Sequence, residues 1–128
     1  MAKTTAQKNT GKVSGKANVA QATLAAYRQS PRKVRLVTRA ISGKKVPQAL
    51  ITLRFADKKA ADSIKKLLES ALANAKNKGM KEEDLKISKI TVDEGPILYR
   101  RRARARGTAN PIRKRTSHIF IEVTSEKK

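Results

Sequence analysis

The chain has 128 residues, of which 31 are Lys or Arg and 10 are Asp or Glu, giving a formal net charge of +21. This length provides one domain with a modest core rather than two domains, and an aromatic content of 3% predicts a mainly aliphatic core. Such an excess of basic residues is typical of proteins that bind nucleic acid or another polyanion. Because the chain contains no cysteine, disulfides and thiolate metal sites are excluded.

The N-terminal residues differ in composition from the rest of the chain. Residues 1–17 are mainly Lys, Thr, Ala and Gly, and Val13 is their only branched apolar residue, so we expect a disordered basic tail. Residues 18–128 are then predicted to form a single α+β domain. The sequence contains no apolar run near the roughly 20 residues of a membrane span and no apolar block of a secretory signal. We therefore expect a cytoplasmic location and no membrane partner.

The first predicted elements are a short strand and a basic helix. Val19–Tyr27 can form a strand, although its alanines favour one only weakly. Ser30 and Pro31 predict a helix start, with Ser30 as the N-cap. At about 100° per residue one helix face carries Val34, Val37 and Ile41, and the other carries Arg32, Arg35 and Arg39. These arginines either contact phosphate or form an ordinary solvated face, and their acid-free surroundings favour phosphate.

Two further helices are predicted in the middle of the chain. Gly43 ends the first helix, and residues 47–53 (PQALITL) predict a short second one. Asp57 suits the N-cap of the longest helix, from residue 58 to about 78, which Gly79 closes. Its apolar residues recur at spacings of three and four: Ile64, Leu67, Leu68, Ala71, Leu72 and Ala75. This helix is therefore predicted to form much of the core.

Two strand-like segments follow, residues 85–92 (LKISKITV) and 117–124 (SHIFIEVT). The apolar residues of the first segment change phase midway, which predicts a bulge near Ser88-Lys89. In the second segment one face carries Ile119, Ile121 and Val123, and the other carries His118, Phe120 and Glu122. We therefore expect a small antiparallel sheet, with the three helices packed on one face.

The most basic stretch lies between these two strands. Residues 99–115 read YRRRARARGTANPIRKR, and no acid occurs between Gly95 and Ile121. The simplest geometry is a long protruding basic β-hairpin at about 85–124, with its midpoint near Arg106-Gly107. Its arms would reach on the order of 50 to 60 Å from the base strands. Three arginines, Arg102, Arg104 and Arg106, alternate with two alanines. In an extended chain their guanidinium groups would therefore lie on one face.

The hairpin has little apolar surface of its own, chiefly Ile97, Leu98 and Ile112. Ordering its backbone costs about 1 to 2 kcal/mol per residue, so a polyanionic partner is expected to supply the ordering energy. A cluster of cations without counter-charge indicates phosphate as that partner. The alternative is a flexible basic loop, or a short helix, with solvated charges.

The sequence contains no arrangement of His, Cys, Asp or Glu that is typical of an enzyme active site. The chain has one histidine, His118, and no cysteine to accompany it. Glu82, Glu83 and Asp84 are consecutive and would splay apart, and Asp93-Glu94 would lie on opposite strand faces. No Gly-rich phosphate loop follows a strand. We therefore expect no enzyme activity, no metal and no cofactor.

Four short motifs carry a family resemblance. They are SPRKVRLV at 30–37, ALANA at 71–75, DEGP at 93–96 and KRTSHI at 114–119. Their order and spacing resemble, from about Asn18 to Thr124, the family of the universal large-subunit ribosomal protein numbered twenty-two in the bacterial scheme. The resemblance implies three helices on a small antiparallel sheet, with the globular part at the mouth of the nascent-peptide tunnel. It also implies that the hairpin lines the tunnel wall near the macrolide site.

The resemblance further implies partners and contacts. The chain would bind large-subunit ribosomal RNA and neighbouring large-subunit ribosomal proteins as a monomer within the particle, and its hairpin would lie beside the nascent peptide. With the basic residues described above, the RNA-binding set is Arg28, Ser30, Arg32, Lys33, Arg35, Arg39, Asn74, Arg100, Arg101, Arg102, Arg104, Arg106, Arg113, Lys114, Arg115, Thr116, Ser117 and His118. The tunnel-lining set is Leu98, Tyr99, Arg100, Arg104, Ala105, Arg106, Gly107, Thr108 and Ala109.

A second function stays open at this point. DNA-bending architectural proteins also use basic β-ribbon arms, and Pro111 could serve as the apolar wedge that enters the minor groove. That function requires a dimer with paired arms. A monomer that prefers structured RNA would favour the ribosomal interpretation.

Overall fold

The computed structural model describes residues 19–125, so the tail predicted at 1–17 lies outside the described residues. The elements in chain order are β1 (Val19–Tyr27), α1 (Pro31–Ile41), α2 (Val46–Phe55), α3 (Lys59–Asn77), β2 (Leu85–Glu94), β3 (Leu98–Ala103), β4 (Ala109–Lys114) and β5 (Ser117–Ser125). Single 3-10 turns lie at Glu82–Asp84 and Ala105–Gly107. The predicted α+β class is confirmed.

The body is built on a three-stranded antiparallel sheet in the order β1-β5-β2. The central strand β5 buries every second residue, and Ile119, Ile121 and Val123 form its buried face as predicted. The pairing of β2 with β5 shifts register between Ile87 and Lys89, which confirms the bulge. The alanine-rich β1 forms because β5 supplies a ladder of hydrogen-bonded partners along its length.

The core between the sheet and the helices is aliphatic, as the composition predicted. Among residues 19–125 no aromatic side chain is fully buried. The predicted apolar stripe of α3 is buried throughout, and α1 buries Val34, Val37 and Ile41. Each branched side chain removed from water contributes about 1.5 to 3 kcal/mol, so these faces hold the helices on the sheet.

The ends of the helices differ in part from the predictions. Gly79 closes α3 with a positive φ of 75°, and Met80 N–H donates to Ala75 O at 3.1 Å across the final turn. The prediction of Asp57 as N-cap was wrong, because α3 begins at Lys59 and Lys58 holds the cap position. Ser30 does precede α1, but its hydroxyl makes no capping hydrogen bond. The second helix extends beyond the predicted 47–53 at both ends.

The described part of the chain was found to contain neither a helix that could cross a membrane nor a metal-binding group. Within residues 19–125 no helix combines the length and the apolar character that crossing a membrane requires. The same residues contain no group of three Asp, Glu or His side chains that could hold a metal ion.

We predict that Leu68→Ala lowers the free energy of unfolding by about 2 to 5 kcal/mol, because Leu68 is fully buried and its loss leaves a cavity. Urea denaturation followed by circular dichroism measures the change. Leu36→Ala is the matched control, since the Leu36 side chain is 64% exposed and its truncation should change stability by less than about 0.5 kcal/mol. Equal effects of the two substitutions would contradict the assignment of the core.

Candidate nucleic-acid interface

The hairpin protrudes from the body as a two-stranded ribbon. Strands β3 and β4 pair from Leu98 with Lys114 to Ala103 with Ala109, and every residue of both strands is exposed. Strands β2 and β5 belong to the body, so each free arm has about nine residues and reaches roughly 30 Å. The predicted reach of about 50 to 60 Å was too long. That prediction counted the residues of β2 and β5 as part of the arms, whereas these strands belong to the body.

The tip of the hairpin is a closed turn. Arg104 N–H donates to Thr108 O at 2.8 Å, and residues Ala105–Gly107 form the 3-10 turn between the arms. The predicted midpoint is confirmed, because Arg106 and Gly107 have positive φ values of 57° and 69°. The predicted alternation of three arginines along an extended chain was wrong. Strand β3 ends at Ala103, so Arg106 leaves the extended conformation.

Both faces of the ribbon carry positive charge. Pairing places Arg100 opposite Ile112 and Arg102 opposite Asn110 on one face. The other face carries Tyr99 opposite Arg113, and Arg101 opposite Pro111. Since neighbouring residues of a strand point to opposite faces, the run Arg100, Arg101, Arg102 divides its charges between the two sides. The ribbon can therefore meet phosphates on both sides at once.

Two short segments, residues 95–97 and 115–116, join the hairpin to the body, and we call them the neck. There Gly95 N–H donates to Thr116 O at 3.0 Å, and Thr116 Oγ1 donates to Pro96 O at 2.6 Å. A side chain at residue 95 would collide with Thr116 Oγ1, so this close approach requires glycine. The neck thus explains the glycine of the DEGP motif by local packing.

The side chains of Thr116, Ser117 and His118 are buried or half-buried, which differs from the expectation of an RNA contact. Thr116 and Ser117 are 3% and 0% exposed, so the proposed interface does not include them. The Thr116 hydroxyl serves the neck, whereas the buried Ser117 hydroxyl has no hydrogen-bond partner among the described residues. His118 Nδ1 accepts a hydrogen bond from Ala26 N–H at 3.1 Å. Ala26 has a φ of 52° at the bulge of β1, so His118 supports an unfavourable backbone conformation.

A basic cleft of about 460 Å³ lies where the hairpin meets the body. Its lining comes from three separate parts of the described chain: Arg28, Gln29, Ser30, Lys33, Lys59, Arg113, Lys114 and Arg115. Six of these residues are cations and none is an acid. Six were also in the predicted RNA-binding set, whereas Gln29 and Lys59 were missed. No local pattern marks Lys59, because only the packing of α3 brings it to this cleft.

The start of α1 adds to the positive potential of the basic cleft. Ser30 and the following Pro31 place the first turn of an 11-residue helix at this site. The exposed N–H groups of a helix start carry a partial positive charge and favour anions. Because the Ser30 hydroxyl is not used as a cap, it remains a polar group of the cleft lining. The cleft therefore has the charge and the donors that suit phosphate.

The arginines of α1 have two different environments. Arg32 and Arg39 are exposed, as predicted. Arg35 is half-buried, and its Nε and Nη2 donate to Val92 O at 3.2 and 2.7 Å. The prediction that Arg35 lies on the solvent face was therefore wrong. Its guanidinium group joins α1 to β2, 57 residues away in sequence.

Asn74 also has a partner within the body. Its Nδ2 donates to Gln21 O at 2.9 Å, and Lys78 Nζ donates to Val19 O at 2.6 Å. Both carbonyls belong to β1, which is an edge strand. Asn74 of α3 and Lys78, which follows its last residue, thus cover hydrogen-bonding groups that an edge strand otherwise leaves open. An RNA contact by Asn74 stays a prediction.

A protein-family model described as ribosomal protein L22p/L17e matches residues 22–124. The chain belongs to this family. The match includes all three helices and the whole hairpin, and it agrees with the resemblance of the four sequence motifs. Membership of L22p/L17e makes the chain a structural constituent of the large ribosomal subunit, with ribosomal RNA and ribosomal proteins as its partner classes. It thereby decides against the DNA-bending function.

We predict that Arg35→Ala destabilises this L22p/L17e chain by about 1.5 to 3 kcal/mol, because a charge-assisted hydrogen bond to a part-buried carbonyl is lost. The measurement is the free energy of unfolding in urea. Arg32→Ala removes the same charge from the exposed face of α1 and should leave stability nearly unchanged. If both variants unfold like the parent chain, the contact between Arg35 and Val92 has no structural importance.

Proposed function

We propose that this chain binds and braces large-subunit ribosomal RNA through two connected basic surfaces, the basic cleft and the hairpin. The observation that carries the proposal is their continuity. Arg113, Lys114 and Arg115 line the basic cleft, and the first two of them also belong to the return strand of the hairpin. An RNA segment held in the cleft can therefore continue along the ribbon over uninterrupted positive charge.

Binding of this kind rests on phosphate neutralisation and shape. The deep, narrow major groove of helical RNA hides its base edges, so contacts to phosphate and 2′-hydroxyl groups dominate. The ribbon is only two strands wide, and neighbouring strands lie about 4.8 Å apart. Such a ribbon fits between RNA helices, where its two basic faces can neutralise phosphates on both sides. RNA helices that repel one another would be held together in this way.

The family resemblance supports a finer proposal about position. The globular part would lie near the exit of the nascent-peptide tunnel, and the hairpin would line the tunnel wall near the macrolide site. The free arms reach roughly 30 Å beyond the body, which suits an element that extends inward from a surface position. The exposed residues at the base and tip of the hairpin would then lie beside the nascent peptide: Leu98, Tyr99, Arg100, Arg104, Ala105, Arg106, Gly107, Thr108 and Ala109.

We predict that replacing Arg100, Arg101 and Arg102 together with Ala weakens binding to large-subunit ribosomal RNA without changing the thermal unfolding of the free protein. These side chains are exposed, so they contribute to binding and not to the core. Loss of three phosphate contacts should lower the slope of log K against log salt by about 2 to 3. Filter binding over a salt series measures this slope.

The matched control for the arginine variant removes the same charge elsewhere. Lys66, Lys81 and Lys89 are exposed and lie in residues 57–94, which hold eight of the ten acids, so their joint replacement by Ala should change the slope less. Equal losses from both triple variants would show that net charge alone drives binding. A collapse of the melting temperature in the arginine variant would show instead that the hairpin belongs to the core.

The position of the tip can be tested through a single cysteine, since the chain has none of its own. We predict that Ala105→Cys, carrying a photo-crosslinker in assembled ribosomes, links to a stalled nascent peptide because the tip lies at the tunnel wall. Ser70→Cys on α3 is the control and should yield no such product. Absence of a peptide crosslink from Ala105→Cys would reject the tunnel position.

A further inference from the structure

An exposed aromatic side chain stands outside the surfaces described above. Phe55 is the last residue of α2, and 82% of its side chain is exposed. The chain has only four aromatic residues, and Tyr27 and Phe120 are half-buried. Ile51, one helical turn before Phe55, is also 59% exposed and extends the apolar surface.

Phe55 lines a second cleft of about 400 Å³, which we call the aromatic cleft. The other residues that line it are Arg54, Ala56, Asp57, Lys58, Lys59 and Asp62. Three cations and two carboxylates make this site nearly neutral, in contrast to the acid-free basic cleft. Asp57 and Asp62 therefore offset much of the attraction of these cations for phosphate, whereas a nucleobase can offer N–H donors to the same carboxylates.

The two clefts are neighbours. Lys59, the first residue of α3, lines both the basic cleft and the aromatic cleft. An RNA strand with phosphates in the basic cleft would therefore bring a base to the edge of the aromatic cleft. Unpaired RNA bases commonly stack on exposed aromatic side chains.

We propose that the aromatic cleft binds one unpaired base of large-subunit ribosomal RNA, stacked on Phe55, while the basic cleft holds phosphates of the same strand. This inference rests on the proposed function and adds a base-binding site to it. The carboxylates of Asp57 and Asp62 favour a base with an exocyclic amine, because such a group donates hydrogen bonds to carboxylate oxygens.

The chain contains no tryptophan, so Phe55→Trp introduces a unique fluorophore at the site. The probe is deproteinised full-length large-subunit ribosomal RNA. Stacking of a base on the indole ring should quench its fluorescence as RNA is added, and the quenching should saturate with the binding curve. Ser70→Trp places the same fluorophore on an exposed part of α3, about 16 Å along the helix from Lys59, and should show no such quenching.

Affinity for the same RNA distinguishes stacking from simple apolar contact. Phe55→Ala should weaken binding about 5- to 150-fold, which is the range for loss of one stacked base. Phe55→Tyr should bind like the parent chain, and Phe55→Leu should be as weak as Phe55→Ala. If Phe55→Leu binds like the parent chain, the ring is an apolar surface suited to a protein partner, and the proposed base site is rejected.

The outcomes separate this inference from the function on which it rests. RNA binding at parental affinity by Phe55→Trp, without quenching, rejects the base site and leaves the proposed function intact. Failure of the unsubstituted chain to bind the RNA rejects both. Because Phe55 is exposed, its four variants (Trp, Ala, Tyr and Leu) should keep the melting temperature of the parent chain. Unchanged melting temperatures would show that differences in RNA affinity do not arise from unfolding.

Discussion

The hairpin depends on the two hydrogen bonds of the neck, from Gly95 N–H to Thr116 O and from Thr116 Oγ1 to Pro96 O. Beyond the neck every residue of β3 and β4 is exposed, so no core holds the arms in place. On the body side β5 continues directly into the buried sheet, and Arg35 ties the neighbouring β2 to α1. Among the described residues, the neck is therefore the main structural link between the body and the basic ribbon.

The distribution of charge divides the molecule into strongly basic parts and a nearly neutral part. Eight of the ten acids lie between residues 57 and 94, and none lies between 95 and 121. Exposed ion pairs such as Lys76 with Glu82 contribute little to stability, so the main effect of these acids is to balance the local lysines. The unbalanced charge then lies outside this segment, in residues 1–56 and in the hairpin. Asp57 and Asp62 belong to this segment and offset most of the positive charge of the aromatic cleft.

Sequence periodicity predicted most of the fold because local patterns decide which face of a helix or strand is buried. The stripe of α3, the alternation of β5 and the bulge in β2 are all read from residues close together in the chain. The roles of Arg35, Lys59 and Thr116 could not be predicted in this way. Each depends on a partner or a cleft formed by distant segments, and a basic or hydroxyl side chain looks the same in sequence whether it meets RNA or a backbone carbonyl.

Sedimentation of a cell lysate through a sucrose gradient, before and after a high-salt wash, tests most directly whether this chain is held by large-subunit ribosomal RNA. We predict that it stays with the large subunit through the wash, because the proposed function has RNA contact both the basic cleft and the hairpin. Salt weakens each phosphate contact, but many contacts must open together before the protein is released. A chain that runs free, or that sediments with DNA, would contradict the proposed function.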